Sequence, residues 1–591
     1  MTNLKIMSGN ELIVQGGIEA GFNLYTGYPG SPLADYFNIL HHKKNVLEKF
    51  GSRVVIGNSE ANAAAMASGS KQAGKNVCVA MKSMGLHVAS DALSVGNFAD
   101  PGEKTICPDS GEQLSPGVVI VVGDDPWSQS TSTPADSRFL FKHLHIPFLE
   151  PSTPQELKDW MKTSLEISQY SSIYQGVILN TFMAEGGGRV EIGEPLKLDK
   201  ELVNLEPNTF DLKKNVMVPP NSLGADQRML ETRFPRAKEK INELKLDKIY
   251  GDDEAEVGVI SSGVVFESVK EVLEKDALLD SLSLYKVACS YPLSDDRLGS
   301  WIEGKKVIIV IEEKRAFLET EVRHLISEKK IDTNVWGKSF DNNIPGFPSH
   351  GGINVEIIRE KLKIAFEQIH FSGKVCQSEF NDNVPGLPTR LPTFCPGCPH
   401  RETLSVLKEL RGDLEKKGIN LISHGDVGCY SLSFLEPFKE MHNLSAMGQG
   451  GALGAGVDLF TKNPSVVLMG DSTFFHSGLT DISNSVQTGH DITYILLDND
   501  NTAMTGHQMT PASGLSVEGK TRPRQKMVEV VKSLGVDEAF EINPSDRYFY
   551  KNELAQTVEK KGVKVIVSNK ECALTFHGRE KKRERSLLRD G

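Results

Sequence analysis

Cysteine is scarce, with eight residues in a chain of 591. That is far too few for a disulfide scaffold. Long apolar runs are missing; none approaches the ~18–20 residues needed to span a bilayer. The opening stretch Met1 to Asn10 is polar and lacks the apolar heart of a signal peptide. A cytoplasmic protein without membrane contact is the expectation. An excess of base is missing too. The 66 Lys and Arg are outnumbered by 78 Asp and Glu, giving a net charge of −12 and a pI of about 5.8. Nucleic-acid binding through bulk electrostatics is thereby excluded. There is no internal repeat and no low-complexity tract, and 39% apolar residues exclude a disordered chain.

What is present is an alternation of strand, turn and helix. The runs Val118–Val122, Val257–Ile260, Val307–Ile311, Val466–Met469, Tyr494–Leu497 and Val563–Val567 are short, apolar and β-branched. They read as buried parallel strands in a multi-domain α/β chain. Composition divides the chain into blocks at 1–195, 251–366 and 391–578. The stretches 196–250 and 367–390, broken by Pro and Asn, read as linkers, and 579–591 reads as a basic tail. Glu312-Glu313-Lys314-Arg315, after a strand, reads as a solvated turn.

The strongest chemical signal lies near the end. Gly470-Asp471-Ser472-Thr473 follows one predicted strand, and Asp498-Asn499-Asp500-Asn501 follows the next, with 29 residues from Gly470 to Asn499. One strand-turn-helix-strand excursion of that length returns the chain beside its start. Both oxygen-rich turns then sit at the carboxyl ends of neighbouring strands, where α/β sheets bind ligands. The side chains of Asp471 and Asn499 and the carbonyl of Asn501 form a hard-oxygen set suited to Mg²⁺ and a diphosphate. Thr502 and Thr505 are candidate phosphate donors. The pair resembles the thiamine diphosphate fingerprint, Gly-Asp-Gly with Asn about 30 residues later, except that Ser472 replaces the last glycine.

Thiamine chemistry needs a carboxylate on N1′ of the aminopyrimidine. Glu60, opening the Ala-rich stretch 62–74, is the candidate, paired with the tight turn Gly27-Tyr28-Pro29-Gly30-Ser31-Pro32. Four cysteines supply a third component: Cys395-x-x-Cys398, Cys429 and Cys572, the last two separated from their predecessors by 31 and 143 residues. Such spacing suits a four-iron four-sulfur cluster or a structural zinc site, Cys₄ or Cys₃ with His400. A cluster can accept, one at a time, electrons left by decarboxylation; zinc cannot.

Taken together, these motifs resemble the 2-oxoacid:ferredoxin oxidoreductases, in particular the alpha subunits that act on indolepyruvate. The carrying residues are Gly27–Pro32, Met81–Leu86, Cys395–Arg401 (CPGCPHR), Gly425–Leu432 (GDVGCYSL), Gly470–Gly478 (GDSTFFHSG) and Asp498–Gly506 (DNDNTAMTG). The resemblance implies a pyrimidine-binding thiamine diphosphate domain at 1–195, a transketolase-C-like domain at 251–366 and a diphosphate-binding domain at 391–578, the outer two doubly wound. It implies Glu60 as cofactor activator, Asp471, Asn499 and Asn501 as Mg²⁺ ligands, and one [4Fe-4S] cluster on Cys395, Cys398, Cys429 and Cys572. Gly30, Gly428, Gly448, Gly470, Ser472 and Thr473 join the cofactor-binding set. Ser31 and the Met81–Leu86 loop face substrate, Lys82 is a candidate carboxylate holder, and His476 is placed at the reacting centre.

The implied reaction is thiamine diphosphate-dependent oxidative decarboxylation of a 2-oxoacid, an aryl pyruvate, to an acyl-coenzyme A. A beta (gamma-type) subunit completes the coenzyme A half, and the assembly is a homodimer or α₂β₂ oligomer. One departure stands out. Family alpha subunits usually end in a ferredoxin-like domain, whereas this chain has no cysteine after Cys572. Electrons are then expected to leave through ferredoxin, a partner subunit or another acceptor. Competing expectations are a non-oxidative decarboxylase and a catalytically inactive scaffold subunit. The segment around Pro101–Pro116, with Cys107, matches nothing in the family pattern.

Overall fold

The computed structural model describes residues 4–99, 105–106, 113–200, 202, 205, 211–373, 375, 391–516 and 520–590. Most of the Pro101–Pro116 segment, Cys107, Cys376 and nearly all of 374–390 lie outside the described residues. The chain forms two compact units, Met1–Val384 and Pro385–Gly591. Among the described residues no helix is long and apolar enough to cross a membrane.

The first unit holds two large sheets, beside the two-stranded pairs Leu4–Ser8 with Gly187–Glu191 and Thr105–Ile106 with Gln113–Leu114. Its leading strands are β1 (Leu24–Gly27), β2 (Arg53–Val54), β3 (Val77–Lys82), β4 (Val118–Asp124), β5 (Phe148–Leu149) and β6 (Gln175–Asn180). Six more follow: β7 (Lys248–Gly251), β8 (Val257–Ser262), β9 (Ser283–Val287), β10 (Cys289–Tyr291), β11 (Val307–Ile311) and β12 (Asn334–Trp336). The first sheet has the order β10–β5–β6–β4–β3–β1–β2, and the second β7–β9–β8–β11–β12. Every residue of β4 is buried, as expected of a central strand covered by helices on both faces. The short β10 leaves the second sheet's neighbourhood and pairs antiparallel with β5, so the two sheets share one body.

Helix α1 (Glu60–Gln72) starts where Ser59 caps it, its side chain accepting from the Asn62 amide at 3.3 Å. Its Ala63, Ala64 and Ala67 are buried and let it lie close against α2 (Ser83–Phe98). The 196–250 stretch differs from the linker reading. It carries α3 (Phe234–Leu244), whose Ala237 and Ile241 are buried with Trp160 and Ile167. Phe234, Ala237, Ile241 and Leu244 recur at helical spacing, a stripe masked by the surrounding charge.

Glu312–Arg315 is likewise no solvated turn. Glu312 is 2% and Lys314 7% exposed. Arg138 grips Asp136 through two bonds, at 2.7 and 2.8 Å, and Glu312 at 2.6 Å; Lys314 pairs with Asp124 at 2.6 Å. The turn is charged because it answers buried charge, which sequence periodicity does not report.

The second unit is built on β13 (Ile422–Gly425), β14 (Asn443–Leu444), β15 (Ser465–Gly470), β16 (Ile492–Asp498), β17 (Glu538–Ile542) and β18 (Lys564–Asn569). The order is β14–β13–β15–β16–β18–β17, parallel throughout. Helices α4 (Pro399–Glu415), α5 (Gly450–Asp458) and α6 (Ala573–Asp590) flank it. The layered α/β class read from the strands is the class the chain adopts.

Candidate active site

In the second unit, register fixes which loops meet. Gly425 pairs with Leu468, Gly470 with Leu497 and Asp498 with Asn569. The carboxyl ends of β13, β15, β16 and β18 therefore stand side by side. They deliver Asp426 and Cys429, then Asp471, then Asn499 and Asn501, then Cys572.

Asp471 is 2% exposed; its Oδ1 accepts from the Ser472 amide at 2.7 Å, while Oδ2 has no partner among the described residues. Burial, with repulsion from Asp498 and Asp500, drives its carboxyl well above the usual range. Burial and Asp500 raise Asp498 to about 6. An orphaned buried oxygen among mutually repelling carboxylates is the electrostatic fit for a divalent cation. Ser472 takes right-handed helical backbone in the turn Asp471–Thr473, so the missing glycine costs no strain.

Asn499 is held at both ends: Oδ1 accepts from the Asn501 amide at 3.2 Å and Nδ2 lies 3.3 Å from His400 Nε2. The Asn501 side chain donates to the Asn499 carbonyl at 3.3 Å and to Thr575 at 2.9 Å, and its Oδ1 lies 3.2 Å from His507 Nδ1. The Thr502 amide donates to the Gln508 carbonyl at 2.9 Å, and the Thr505 hydroxyl donates to the Gln508 side chain at 2.6 Å. The Thr505 hydroxyl is thus spent inside the loop. Thr473 is buried and faces Tyr430 and the Val427 carbonyl.

Tyr430 packs over two glycines. A Cβ on Gly428 would lie 2.3 Å from its ring, and one on Gly470 3.0 Å. Gly448 has φ +75°, and a Cβ there would lie 2.2 Å from Ser477 Oγ. That hydroxyl donates to the Met447 carbonyl at 2.7 Å and lies 2.8 Å from His476 Nδ1. The hydroxyl proton is spent on Met447, so His476 Nδ1 is the donor. His476 thereby braces the Gly448 loop.

The four cysteines act on one another electrostatically. The thiols of Cys398, Cys572 and Cys395, and the Asp471 carboxylate, all act on Cys429, which burial first of all raises to about 12. Burial raises Cys398 to about 11. Burial would raise Cys572 as well, but the contact to His507 at 3.9 Å and amides of the first turn of α6 outweigh it and bring the thiol to about 7. Among the described residues no three His, Cys, Asp or Glu side chains converge on one point within coordinating reach. The thiols lie within electrostatic range of one another.

Four groups escaped the sequence reading. Asp426 is buried, has an unpartnered Oδ2, accepts from Tyr430 and receives the amides of Gly448 and Gly450. It follows β13 as Asp471 follows β15, and that repeated Gly-Asp was the available signal. Asp498 and His507 carry none, and His400 reads from the sequence only as a zinc ligand.

In the first unit, Glu60 is 3% exposed and lies against the start of α2; a Cβ on Gly85 would sit 2.5 Å from its Oε1. Lys82 ends β3 and precedes α2, with its stem over Gly30, where a Cβ would lie 2.7 Å from Lys82 Cδ. Burial lowers the Lys82 ammonium pKa, and Glu60 opposes that shift. The Gly30-Ser31-Pro32 turn is pinned by Asn10, which donates to the Pro32 carbonyl at 3.1 Å.

The comparisons agree with this architecture. Residues 426–568 match the thiamine pyrophosphate enzyme C-terminal TPP-binding domain, and 247–378 match the indolepyruvate oxidoreductase domain. Both matched stretches belong to thiamine diphosphate-type oxidoreductase families, and those are what the chain resembles. More particularly, it is a relative of the alpha subunits of indolepyruvate oxidoreductase, similar to them along nearly its whole length. It is 27% identical over 569 residues to indolepyruvate oxidoreductase subunit IorA of Methanothermobacter thermautotrophicus, covering 96% of this chain and 86% of that one. It is 28% identical over 591 residues to the IorA of Pyrococcus abyssi, with the same coverage of 96% and 86%. A solved 2-oxoglutarate:ferredoxin oxidoreductase from Magnetococcus marinus aligns over 62% of this chain and 65% of its own at 17% identity, with a TM-score of 0.46.

Proposed function

We propose that this chain is the thiamine diphosphate-binding subunit of a cytoplasmic 2-oxoacid oxidoreductase acting on an aryl pyruvate such as indolepyruvate. The substrate loses CO₂, its acyl group passes to the sulfur of coenzyme A, and two electrons and one proton leave. A beta-type subunit completes the coenzyme A half, and ferredoxin or another acceptor takes the electrons. The observation that supports this reading is that the thiols of Cys395, Cys398 and Cys572 and the carboxyl of Asp471 all lie within electrostatic range of Cys429, at the carboxyl end of one parallel sheet. A diphosphate-Mg²⁺ site has no need of four cysteines; an electron exit beside it does.

Bound thiamine diphosphate supplies the carbon nucleophile for cleaving the bond between carboxylate and 2-oxo carbon. The chain's own residues do the rest. Asp471 and Asn499, with the Asn501 carbonyl, would hold Mg²⁺, whose charge would offset that of the diphosphate. His400 and the Asn501 amide keep Asn499 oriented. Glu60 holds the proton at N1′ of the aminopyrimidine. Cys395, Cys398, Cys429 and Cys572 would ligate one [4Fe-4S] cluster, which would take up the electrons one at a time.

The test is anaerobic purification, metal analysis and a 2-oxoacid panel with and without coenzyme A. About four irons per chain, visible absorption bleached by dithionite, and coenzyme A-dependent acceptor reduction are expected. Zinc in place of iron, or an aldehyde product with no acceptor reduced, overturns the oxidative reading.

A further inference from the structure

We propose that His507 is a positioning residue, whose Nδ1–H donates to the sulfur of Cys572 and holds that thiolate in place for a bound cluster. The inference rests on the cysteine ligand set proposed above and names the group that orients one of its members.

Three contacts converge on one atom. His507 Nδ1 lies 3.2 Å from Asn501 Oδ1, 3.2 Å from Thr575 Oγ1 and 3.9 Å from Cys572 Sγ. Sulfur is a large, soft acceptor, so the longer separation is still bonding reach. The surrounding groups decide where the proton sits. The Asn499 carbonyl can only accept, so the Asn501 atom that faces it at 3.3 Å is the amide nitrogen. That nitrogen spends its other proton on the Thr575 hydroxyl at 2.9 Å. Asn501 Oδ1 is left as an acceptor towards His507, and an acceptor there needs a hydrogen on Nδ1. The same Nδ1–H faces Cys572, so the sulfur is the accepting partner. A donor aimed at a cysteine sulfur favours its thiolate, the form that binds metal.

The loop is built to bring the ring there. The Thr502 amide donates to the Gln508 carbonyl at 2.9 Å, and the Gln508 side chain donates back to the Thr505 carbonyl at 2.7 Å, which closes residues 502–508 on themselves. Within that loop Gly506 has φ +115° and His507 φ +66°. Left-handed backbone is uncommon for a residue with a Cβ, and it is kept where tertiary contacts hold it. Here Asn501 and Thr575 hold it. The Cys572 amide also donates to the Asn499 carbonyl at 3.2 Å, so backbone and ring together strap the cysteine to the loop after β16. His507 thus stands between a candidate Mg²⁺ loop and a candidate cluster ligand. A hydrogen bond to a ligating sulfur stabilises the more negative, reduced form of a cluster.

The test uses the anaerobically purified holoenzyme, two variants that remove the donor and one that restores it. His507→Phe fills the space without a proton. His507→Gly removes the ring and relieves the left-handed backbone, so it decides the matter if His507→Phe fails to fold. His507→Asn puts an amide nitrogen near the position of Nδ1 and tolerates positive φ. The first readout is metal release to an added chelator. It should be about tenfold faster in His507→Phe and His507→Gly, and within about threefold of wild type in His507→Asn. The second is a reductive titration followed by visible absorption. At the wild-type midpoint, the ratio of reduced to oxidised cluster should fall about tenfold in His507→Phe and His507→Gly, a midpoint about 59 mV lower. Thiamine diphosphate affinity in the presence of Mg²⁺ should stay within about threefold, because Asn501 keeps its bonds to Asn499 and Thr575. Unchanged release and an unchanged midpoint in both donor-less variants overturn the role. A loss that His507→Asn does not restore overturns it too, since packing and not the proton would be responsible. Zinc in place of iron in the wild type refutes the proposed function, and the role of His507 then stands or falls on the release rates alone.

Discussion

Nδ2 of Asn499 lies 3.3 Å from Nε2 of His400, so the loop carrying Cys398 is tied to the loop carrying a candidate Mg²⁺ ligand. Burial pushes the His400 imidazole down to about 4, which leaves it neutral at physiological pH. The amide nitrogen donates, so Nε2 accepts and the ring proton sits on Nδ1. Edge-on contact with Tyr430, at 6.4 Å between ring centroids, fixes the ring from the side.

His400→Phe would keep most of the packing and remove the acceptor. A lost neutral hydrogen bond is worth about 1 kcal/mol, so Mg²⁺-dependent cofactor binding should weaken about fivefold. His400→Gln, which offers another acceptor, should lose less. A Mg²⁺ titration of cofactor binding reads this directly, and identical curves for Phe, Gln and wild type would remove His400 from the metal site.

Asp471→Asn should move two quantities in opposite directions. In the metal-free protein Asp471 is a buried carboxyl whose Oδ2 has no partner among the described residues and whose ionisation burial opposes, so the variant should unfold at a higher temperature than wild type. The same change removes the only anionic group among the proposed Mg²⁺ ligands, so cofactor affinity should fall about 100-fold or more. Calorimetry with and without thiamine diphosphate and Mg²⁺ checks both. A variant that is less stable when metal-free, with affinity intact, would show that Asp471 is structural.

The parts of this site legible in the sequence were those governed by local pattern. The runs at Val466–Met469 and Tyr494–Leu497 fall within β15 and β16, and their separation placed Asp471 and Asn499 on adjacent strand ends. What stayed hidden depends on long-range burial. Asp426 has no role legible in its motif, because nothing local indicates that Gly448 and Gly450, some twenty residues on, direct their amides at it. His507 reaches Cys572 across 65 residues. The charged string Glu312–Arg315 has the composition of a surface turn, and only the fold of the first unit brings Arg138 and Asp124 to meet it.

Glu440 gives a pH signature. It is fully buried, and burial raises its carboxyl to about 7 although the Arg411 guanidinium stands 2.8 Å away. In the unfolded chain the same group titrates near ~4.3. Between those values the native protein holds a proton that the unfolded chain has released, so stability falls as pH climbs from about 4.3 to about 7. Glu440→Gln cannot titrate and should escape that decline. Melting temperatures at pH 5 and pH 8 should therefore shift in favour of the variant at the higher pH. A constant difference between the two proteins would mean that Glu440 is ionised throughout.

Arg138 carries the largest stability prediction. Its guanidinium holds Asp136 through two bonds and Glu312 through a third, with side-chain exposures of 5%, 0% and 1% for Arg138, Asp136 and Glu312. Glu312 also accepts the amides of Phe317, Leu318 and Glu319, so the network anchors the chain that leaves β11 to the loop that follows β4. Arg138→Met leaves two carboxylates buried without their cation, a loss of about 3–5 kcal/mol. Arg138→Lys keeps the charge but not the fork geometry and should fall between. Adding Asp136→Asn and Glu312→Gln to Arg138→Met removes the stranded charges and should recover part of the loss, because the cost lies in unpaired charge and not in the contact itself. Urea unfolding of the three variants decides it. A triple variant no more stable than Arg138→Met would place the cost in lost packing against Phe317, whose ring lies 5.4 Å from the guanidinium carbon.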